Sequence, residues 1–148
     1  MSSAAFERLK SGIGRASAER RVILSGKEMR DFAACVKATV GATSHSPISS
    51  SAIPTVFTIF REGEFELLNS LGIELKQVLH AEPGYSLRAP LSPSEEIRFT
   101  TRISSVVAKK GRSANLAFIA FETDFVRTGD GETVATARST MVYREGVE

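Results

Sequence analysis

The sequence predicts an α+β domain with one long central helix and a mostly antiparallel sheet. Between residues 51 and 70 the apolar side chains recur at the spacing of an amphipathic helix. After residue 96 the period changes to two, which is typical of strands that bury one face. Because this helix is the longest and most apolar segment, we expect it to lie at the centre of the domain, against the strands that follow it.

Two shorter elements precede the central helix. Arg21–Leu24 has the composition of a short strand. Ser25 and Glu28 then have the capping-box spacing that marks the start of a helix. Apolar residues recur at helical spacing through Lys27–Thr39, and Gly41 ends the pattern. We therefore predict a second amphipathic helix over this range.

The central helix has its own start and stop signals. Pro54 suits the first turn, where its missing N–H costs nothing, and Asn69 and Gly72 supply the stop. Gly63 lies inside the predicted helix and argues against an unbroken run. The apolar positions on one broad face are Ile53, Phe57, Phe60, Leu67, Leu68 and Leu71.

Three strands are predicted after the helix. Residues 97–104 alternate between apolar and polar, and a basic turn follows at 109–112. The next strand, Ala114–Arg127, is apolar on both faces, so we expect the helix to cover one face and a partner protein the other. A hairpin turn at 128–131 leads to the last strand, Glu132–Arg144. We therefore expect the chain to be part of a dimer rather than a monomer.

Length and composition indicate one ordinary globular domain. The 148 residues are 42% hydrophobic and 24% charged, and no apolar run is long enough to span a bilayer. The first residues lack the apolar stretch of a signal peptide, and the single cysteine, Cys35, excludes an internal disulfide. A cytoplasmic location is expected. The net charge of +2 is too small to predict nucleic-acid binding. We interpret residues 1–20 as a basic N-terminal arm and residues 21–148 as the domain.

Five segments, taken in order, resemble a known family. They are FAACVKATVGA, IPTVFTIF, VLHAEPGYSLRAPL, EIRFTTRISSVVAKKG and ETDFVRTGDGETVATARSTMVYR, and the likeness covers residues 20–144. Their order and spacing are similar to those of MaoC-like dehydratases of the N-terminal type, including the small subunits of bacterial (R)-3-hydroxyacyl thioester dehydratases. The resemblance implies a hotdog fold, in which a mostly antiparallel sheet wraps a long helix.

The resemblance also implies a function. It implies a subunit of an (R)-3-hydroxyacyl-CoA or acyl-carrier-protein dehydratase, an enzyme that also hydrates enoyl thioesters. The ligand implied is an acyl-CoA or acyl-carrier-protein thioester, with no cofactor. The assembly implied is a homodimer or a heterodimer with a catalytic MaoC-like subunit, in fatty-acid or related acyl metabolism, away from membranes and nucleic acids.

The resemblance leaves the catalytic dyad unmatched. Catalytic members of the superfamily carry an Asp and a His five residues apart in a GD-x-N-P-x-H loop, where His removes a proton or activates water and Asp orients the group that adds or leaves. In the matching segment Ala42 stands in place of the Asp and Pro47 in place of the His. His45 is out of register, either as a displaced catalytic base or as an ordinary loop residue. The dyad is therefore expected to come from a partner chain.

Two further residues are candidates for chemistry. His80 lies where the helix meets the strands, beside Glu82, and is interpreted as structural or as a contact to substrate or to a subunit interface. Thioesterases of the same fold place a carboxylate on the central helix, which makes Glu64 a candidate base. Glu62 and Glu66 share a different helix face and are expected to be solvated. The alternatives are therefore an acyl-CoA thioesterase that uses Glu64 and a non-enzymatic acyl-thioester binding module.

An acyl channel is expected between the helix and the sheet. The residues predicted to line it are Phe57, Phe60 and Leu68 on the helix, facing Phe99 and Phe118 on the strands. Its mouth is predicted near the segment that runs from His80 to Arg88. The alternative is a packed core without a channel.

The basic turn supplies the remaining binding candidates. Lys109, Lys110 and Arg112 form a cationic tip that suits the phosphates of CoA or the acidic surface of an acyl carrier protein, the alternative being an ordinary basic turn. Two histidines without paired carboxylates predict no metal site, and no glycine-rich phosphate loop is present.

Overall fold

A computed structural model describes residues 3–23, 26–27, 60–89 and 94–146 of the chain. Helix α1 (Ala4–Ser11) precedes the first strand, helix α2 (Phe60–Ser70) precedes the second, and a 3-10 turn (Leu75–Gln77) follows α2. The strands are β1 (Arg20–Ile23), β2 (Val78–Leu87), β3 (Glu96–Lys110), β4 (Asn115–Arg127) and β5 (Thr133–Arg144). The α+β class predicted from the sequence is confirmed.

The described strands form one antiparallel sheet in the order β1-β3-β4-β5-β2. Strands β3 and β4 pair from Ile97 opposite Arg127 to Lys110 opposite Asn115. The predicted turn at residues 128–131 joins β4 to β5, and Gly131 there has a φ of 73°, a conformation that favours glycine. The centre of the sheet thus forms by local hairpins, while the edge strands β1 and β2 come from more distant parts of the chain.

The two faces of the sheet have different surroundings because successive side chains point to opposite sides. In β4 the odd-numbered positions from 117 to 125 are buried, and the even-numbered positions between them are half-buried. The buried face, called the inner face below, lies against the helices, and the sheet curls around it. The core side chains there are Leu9, Leu67, Leu68, Leu71, Ile73, Ile103, Ala117, Ile119, Phe121, Met141 and Tyr143.

Helix α2 packs closely against β3 through a glycine. The helix continues through Gly63, which lies inside the range predicted to be helical. A Cβ at this position would lie 2.6 Å from Oγ1 of Thr101, so only glycine allows the helix to approach the strand this closely. Gly72, with a φ of 69°, follows the helix as predicted. The part of the predicted central helix before Phe60 lies outside the described residues.

The N-terminal arm packs on the same core as the rest of the described residues. Its residues 4–11 form the amphipathic helix α1, and Leu9 on that helix is fully buried. Arg8 Nε donates a hydrogen bond to the carbonyl oxygen of Leu71 at 2.9 Å, and Arg15 Nη1 donates to Ser70 Oγ at 3.2 Å. These contacts hold the arm against the end of α2.

The segment expected to link the helix to the sheet is itself an edge strand. It forms β2 and pairs with β5 along its length, with a bulge between His80 and Glu82. Pro83 is compatible with this position because an edge strand needs ladder hydrogen bonds on one side only. The interpretation of His80 as a residue at a helix-to-strand junction is therefore replaced by a position within a strand.

Several predicted elements fall on residues that the structure does not describe. The helix predicted over Lys27–Thr39 and the loop that contains Ala42, His45 and Pro47 lie largely or wholly outside the described residues. Strand β1 matches the short strand predicted at Arg21–Leu24 to within one residue. In the part of the chain that the structure describes, no helix combines the length and apolarity needed to cross a membrane.

Candidate functional site

Glu64 is a carboxyl group buried between helix α2 and strand β5. Its side chain is 0% exposed, and Ser139 Oγ donates a hydrogen bond to its Oε1. Its second oxygen, Oε2, is buried without a hydrogen-bond partner among the residues that the structure describes. The two residues meet across the core because Ser139 lies on the inner face of β5, beneath the helix.

Burial raises the pKa of Glu64 from 4.5 to about 7, because the ionised carboxylate loses its contact with water. The hydrogen bond from Ser139 and the positive charge of Arg61 favour the ionised form, but they offset only part of the effect of burial. Glu64 therefore keeps its proton at pH values where an exposed glutamate is ionised.

His80 lies near the same end of helix α2. Its side chain is exposed, and its position in β2 places it on the inner side of the sheet, opposite Met141. Partial burial, and then the positive charge of Arg61, hold the pKa of His80 below its ordinary value. Since Arg61 acts on both His80 and Glu64, the structure brings these two candidates to one side of the fold.

In this cluster Glu64 holds its proton up to about pH 7, whereas the lowered pKa of His80 favours the neutral imidazole. Such a pair contains one proton donor and one proton acceptor. Only His80 is open to solvent, however, because the Glu64 side chain is fully enclosed. The cluster therefore suits a contact between His80 and a ligand better than a dyad in which both groups touch the substrate.

The neighbouring glutamates on α2 hold β1 and the segment before it. Glu66 accepts hydrogen bonds from the Ala18 backbone N–H at 3.0 Å and from Arg20 Nη2 at 2.7 Å. Glu62 lies 3.3 Å from Arg20 Nε. Both carboxylates pair with an arginine of the edge strand, and both side chains stay exposed, at 66% for Glu62 and 39% for Glu66.

A buried polar column beneath α2 was not predicted from the sequence. Thr101 Oγ1 and Thr123 Oγ1 are 2.7 Å apart, and the Thr101 N–H donates to Ser17 Oγ at 3.1 Å. Ser139 lies in the next inner row of the sheet. The alternation along β5, which places Ser139 on the same face as Met141, was the one signal that could have identified it.

The structure separates the residues predicted to line an acyl channel. Phe99 is on the inner face, with its ring 5.4 Å from that of Phe125. Phe118 is on the outer face, so the expectation that it faces the helix is wrong. Phe57 lies outside the described residues, and Phe60 begins α2. Near the described part of α2, Leu67, Leu68 and Phe121 are at most 2% exposed, which agrees with a packed core at that point.

The two residues predicted to mark the mouth of the channel also lie far apart. His80 and Arg88 are eight residues apart along an extended segment, or roughly 25 Å. Arg88 is exposed beyond the end of β2, and its charge contributes to lowering the pKa of Asp124 on the outer face. His80 and Arg88 are therefore not brought together. Among the described residues, no group of three or more His, Cys, Asp or Glu side chains is arranged to hold a metal ion.

Lys109, Lys110 and Arg112 of the predicted cationic tip lie at one end of the sheet, and a cavity lies beside them. Lys109 Nζ lies 4.6 Å from the centre of the Phe118 ring, and Arg112 is exposed in the turn between β3 and β4. Lys109 and Lys110 both line a cavity of about 330 Å³ at this end of the sheet, which α1 also borders. The sheet register separates Lys109, Lys110 and Arg112 from Ser139, which is the residue of the sheet that contacts Glu64.

A family model matches most of the chain. Residues 11–137 match the family described as the FAS1-like, dehydratase domain region. No curated protein sequence matches the chain significantly.

Three of the solved structures with similar folds come from bacteria. The C-terminally truncated HadBC (3R-hydroxyacyl-ACP dehydratase) complex of Mycobacterium tuberculosis is 13% identical, with a TM-score of 0.60 over 85% of this chain and 95% of that one. The ChsH1–ChsH2 complex of the same organism is 14% identical, with a TM-score of 0.61 over 97% and 91%. A MaoC-like dehydratase of Rhodospirillum rubrum is 19% identical, with a TM-score of 0.57 over 91% and 94%. The hotdog fold implied by the sequence is thereby confirmed.

Proposed function

Because the chain belongs to the family of FAS1-like dehydratase domains, we propose that it is a hotdog subunit of an (R)-3-hydroxyacyl thioester dehydratase. In this role the chain binds the acyl thioester and completes the assembly. A partner subunit supplies the Asp/His dyad. The acyl group is carried by CoA or by an acyl carrier protein.

The observation that carries the proposal is the missing dyad in a chain of a dehydratase family. Ala42 occupies the place of the aspartate and Pro47 that of the histidine. A methyl group cannot orient a water molecule, and proline has no imidazole to move a proton. The acid and base of the reaction then have to come from another chain.

The printed names of two similar structures support pairing with a different subunit. HadBC and ChsH1–ChsH2 are both described as complexes, and this chain covers more than nine-tenths of the matched chain in each. A heteromeric arrangement of hotdog chains is therefore known for the fold.

The outer face of the sheet offers an apolar surface for such a partner. Leu79, Val142, Phe118 and Val107 lie opposite one another in a row across four strands. Leu79 is 68% exposed and Val107 is 50% exposed. Exposed apolar rows of this kind are typical of surfaces that bind another protein.

The cationic tip suits the charged part of the ligand. Lys109, Lys110 and Arg112 lie on one β3–β4 hairpin, where no carboxylate precedes Glu122 on β4. Their charges would attract the phosphates of CoA or an acidic carrier protein and would raise the association rate more than the affinity.

The thioesterase alternative rests on Glu64, the carboxyl group of helix α2. Its raised pKa would suit a proton donor, but its enclosed side chain argues against direct attack on a thioester. Hydrolysis of acyl-CoA by the purified chain, abolished by Glu64→Gln, would replace the dehydratase proposal with this alternative.

The isolated chain is expected to have negligible hydratase activity on crotonyl-CoA. The reason is that neither Ala42 nor Pro47 can perform the proton transfers of the dyad. The assay measures hydration as a decrease in the absorbance of the enoyl thioester. The pure chain is added at a concentration well above that needed for an active enzyme, so that weak activity is detected.

His45→Ala and His80→Ala provide the matched controls for this assay. Both variants are expected to have the same negligible activity as the unmodified chain. Each substitution removes one imidazole, and neither imidazole belongs to a catalytic dyad. Robust turnover that disappears in His45→Ala would contradict the proposal, since the displaced histidine would then serve as the base.

A further inference from the structure

The outer face of the sheet carries an apolar row that spans four strands. It consists of Leu79 on β2, Val142 on β5, Phe118 on β4 and Val107 on β3. The two ends of the row, Leu79 and Val107, are exposed, and the two middle members are half-buried. A surface that covers the row therefore has to reach across all four strands.

A charged row lies four residues further along β4, roughly 13 Å away. In it Arg138 of β5, Glu122 of β4 and Arg102 of β3 lie opposite one another. Glu122 accepts hydrogen bonds from Arg102 and, at 3.3 Å, from Arg138 Nε. The Arg138 side chain is 67% exposed, and in the described part of the chain its two terminal amino groups have no partner. The row thus presents a guanidinium group that can bind a second carboxylate.

A second copy of this chain matches the apolar row when a two-fold axis runs parallel to the strands, between β4 and β5. Rotation about this axis places β4 of one copy over β5 of the other and β3 over β2, and it keeps each row at the same level. Phe118 then faces Val142 of the second copy, and Val107 faces Leu79. Lys109 Nζ lies 4.6 Å from the centre of the Phe118 ring, and an exposed contact of this kind is weak enough to be displaced. Each apolar contact occurs twice, so the whole row is covered in both copies.

The same axis also matches the charged row. It places Glu122 of each copy opposite Arg138 of the other, so that two carboxylates and two guanidinium groups alternate across the interface. A two-fold axis across the strands, over Ala120, would instead set Phe118 against Glu122. That arrangement removes water from a carboxylate without supplying a further positive charge. Charge complementarity therefore selects the axis parallel to the strands.

We propose that this chain, in the absence of its catalytic partner, binds a second copy of itself through the outer face. The two sheets pack face to face with their strands nearly aligned, as in β-sandwiches. The outer face is also the surface offered to the catalytic partner, so the homodimer and the heteromer exclude each other at this face. The inference does not rest on the dehydratase role, because self-association is a property of this chain alone.

The size of the matched surface indicates a weak dimer. Four strands spaced by about 4.8 Å and four rows spaced by about 6.7 Å cover roughly 500 Å² per copy. The total of about 1,000 Å² is below the roughly 1,200 Å² at which stable complexes begin. We therefore expect a dissociation constant on the order of 100 µM, so that the chain is monomeric at low micromolar concentration.

Sedimentation equilibrium of the purified chain tests the proposal. The concentration is varied from about 5 µM to about 500 µM, on either side of the expected dissociation constant. We expect a monomer at the lower limit and mostly dimer at the upper limit. Low ionic strength is used, because salt screens the charges that face each other.

Two charge reversals test the facing pair of the charged row. Arg138→Glu sets carboxylates against each other across the axis, and Glu122→Arg does the same with guanidinium groups. Each variant alone is expected to self-associate at least about tenfold more weakly than the unmodified chain. An equal mixture of the two variants is expected to recover the affinity of the unmodified chain, because every facing pair then contains one acid and one base.

Leu79→Asp tests the apolar row. It is expected to weaken self-association by at least about tenfold, since each dimer loses two leucine contacts and gains two charges. Ile13→Asp is the matched control and should leave self-association unchanged, because Ile13 is an exposed aliphatic residue outside the sheet, in the turn after α1. Leu79 and Arg138 are both mostly exposed, so their replacement is compatible with folding, and a thermal melt of each variant verifies this.

The measurements support or overturn the proposal as follows. A dimer that is weakened by Leu79→Asp, unaffected by Ile13→Asp and restored in the mixed charge reversals supports it. A chain that remains monomeric at the highest concentration would overturn it. A dimer that is equally stable in Leu79→Asp, or a mixture of the folded charge-reversal variants that associates no better than either variant alone, would also overturn it.

Discussion

Glu64→Gln is expected to make the protein more stable than the unmodified chain at pH 8, by about 3 kcal/mol of unfolding free energy. Burial raises the pKa of Glu64 from 4.5 to about 7 in the folded state. The folded protein therefore holds this proton more tightly than the unfolded chain does. The stability associated with the proton is complete below pH 4.5, decreases as the pH rises, and is lost once the pH passes about 7.

Glutamine cannot ionise, so it mimics the protonated form at every pH and can still accept the hydrogen bond from Ser139. Urea denaturation of both proteins across this pH range measures the effect. His80 contributes in the opposite direction, because its lowered pKa destabilises the folded state as the pH falls, and this contribution cancels in the difference between the two proteins. Glu62→Gln, on an exposed position of the same helix, is the control. Parallel pH profiles for Glu64→Gln and the unmodified chain would contradict the burial of a protonated Glu64.

Phe121→Ala is expected to cost about 4 kcal/mol of unfolding free energy, whereas Phe118→Ala should cost about 1–2 kcal/mol. Phe121 is 1% exposed at the centre of the inner face, so its removal leaves a cavity under helix α2. Phe118 is half-buried on the outer face, where it contacts Lys109.

The two variants remove the same ring from the same strand, so they form a matched pair. Urea denaturation of the isolated chain measures both losses. Equal losses would contradict the assignment of the two faces of β4. Addition of a partner subunit that covers the outer face should increase the loss for Phe118→Ala and leave that for Phe121→Ala unchanged.

The alternating strands and their hairpins were predictable because their signals are local. Period-two alternation over residues 97–103 and the turn signals near Gly131 depend on neighbouring residues only. The face occupied by each side chain of β4 was harder to predict, because both faces are apolar and alternation alone does not say which one meets the helix. The prediction that Phe118 faces the helix is wrong for this reason.

The strand β2 and the Glu64 site depend on pairing between distant residues. Pro83 and Gly84 indicate a turn when read alone, yet the segment forms a strand because β5 offers it a partner along one edge. Ser139 is 75 residues from Glu64 in the chain, so no local pattern links the two. Glu64 itself was recognisable as a residue on a helix face different from that of Glu62 and Glu66. The neighbouring Gly63 brings the same helix close to β3.

We propose that this chain is a dehydratase subunit that acts with a dyad supplied by another chain. Hydration of crotonyl-CoA is measured for the chain alone, for a MaoC-like hotdog chain with an intact GD-x-N-P-x-H loop alone, and for the two together. We expect the mixture to be at least about a hundredfold more active than the sum of the two separate chains, since general acid and base groups contribute on the order of a hundredfold or more. The proposal would be contradicted if the mixture were no more active than that sum for every dyad-bearing chain of the same cell.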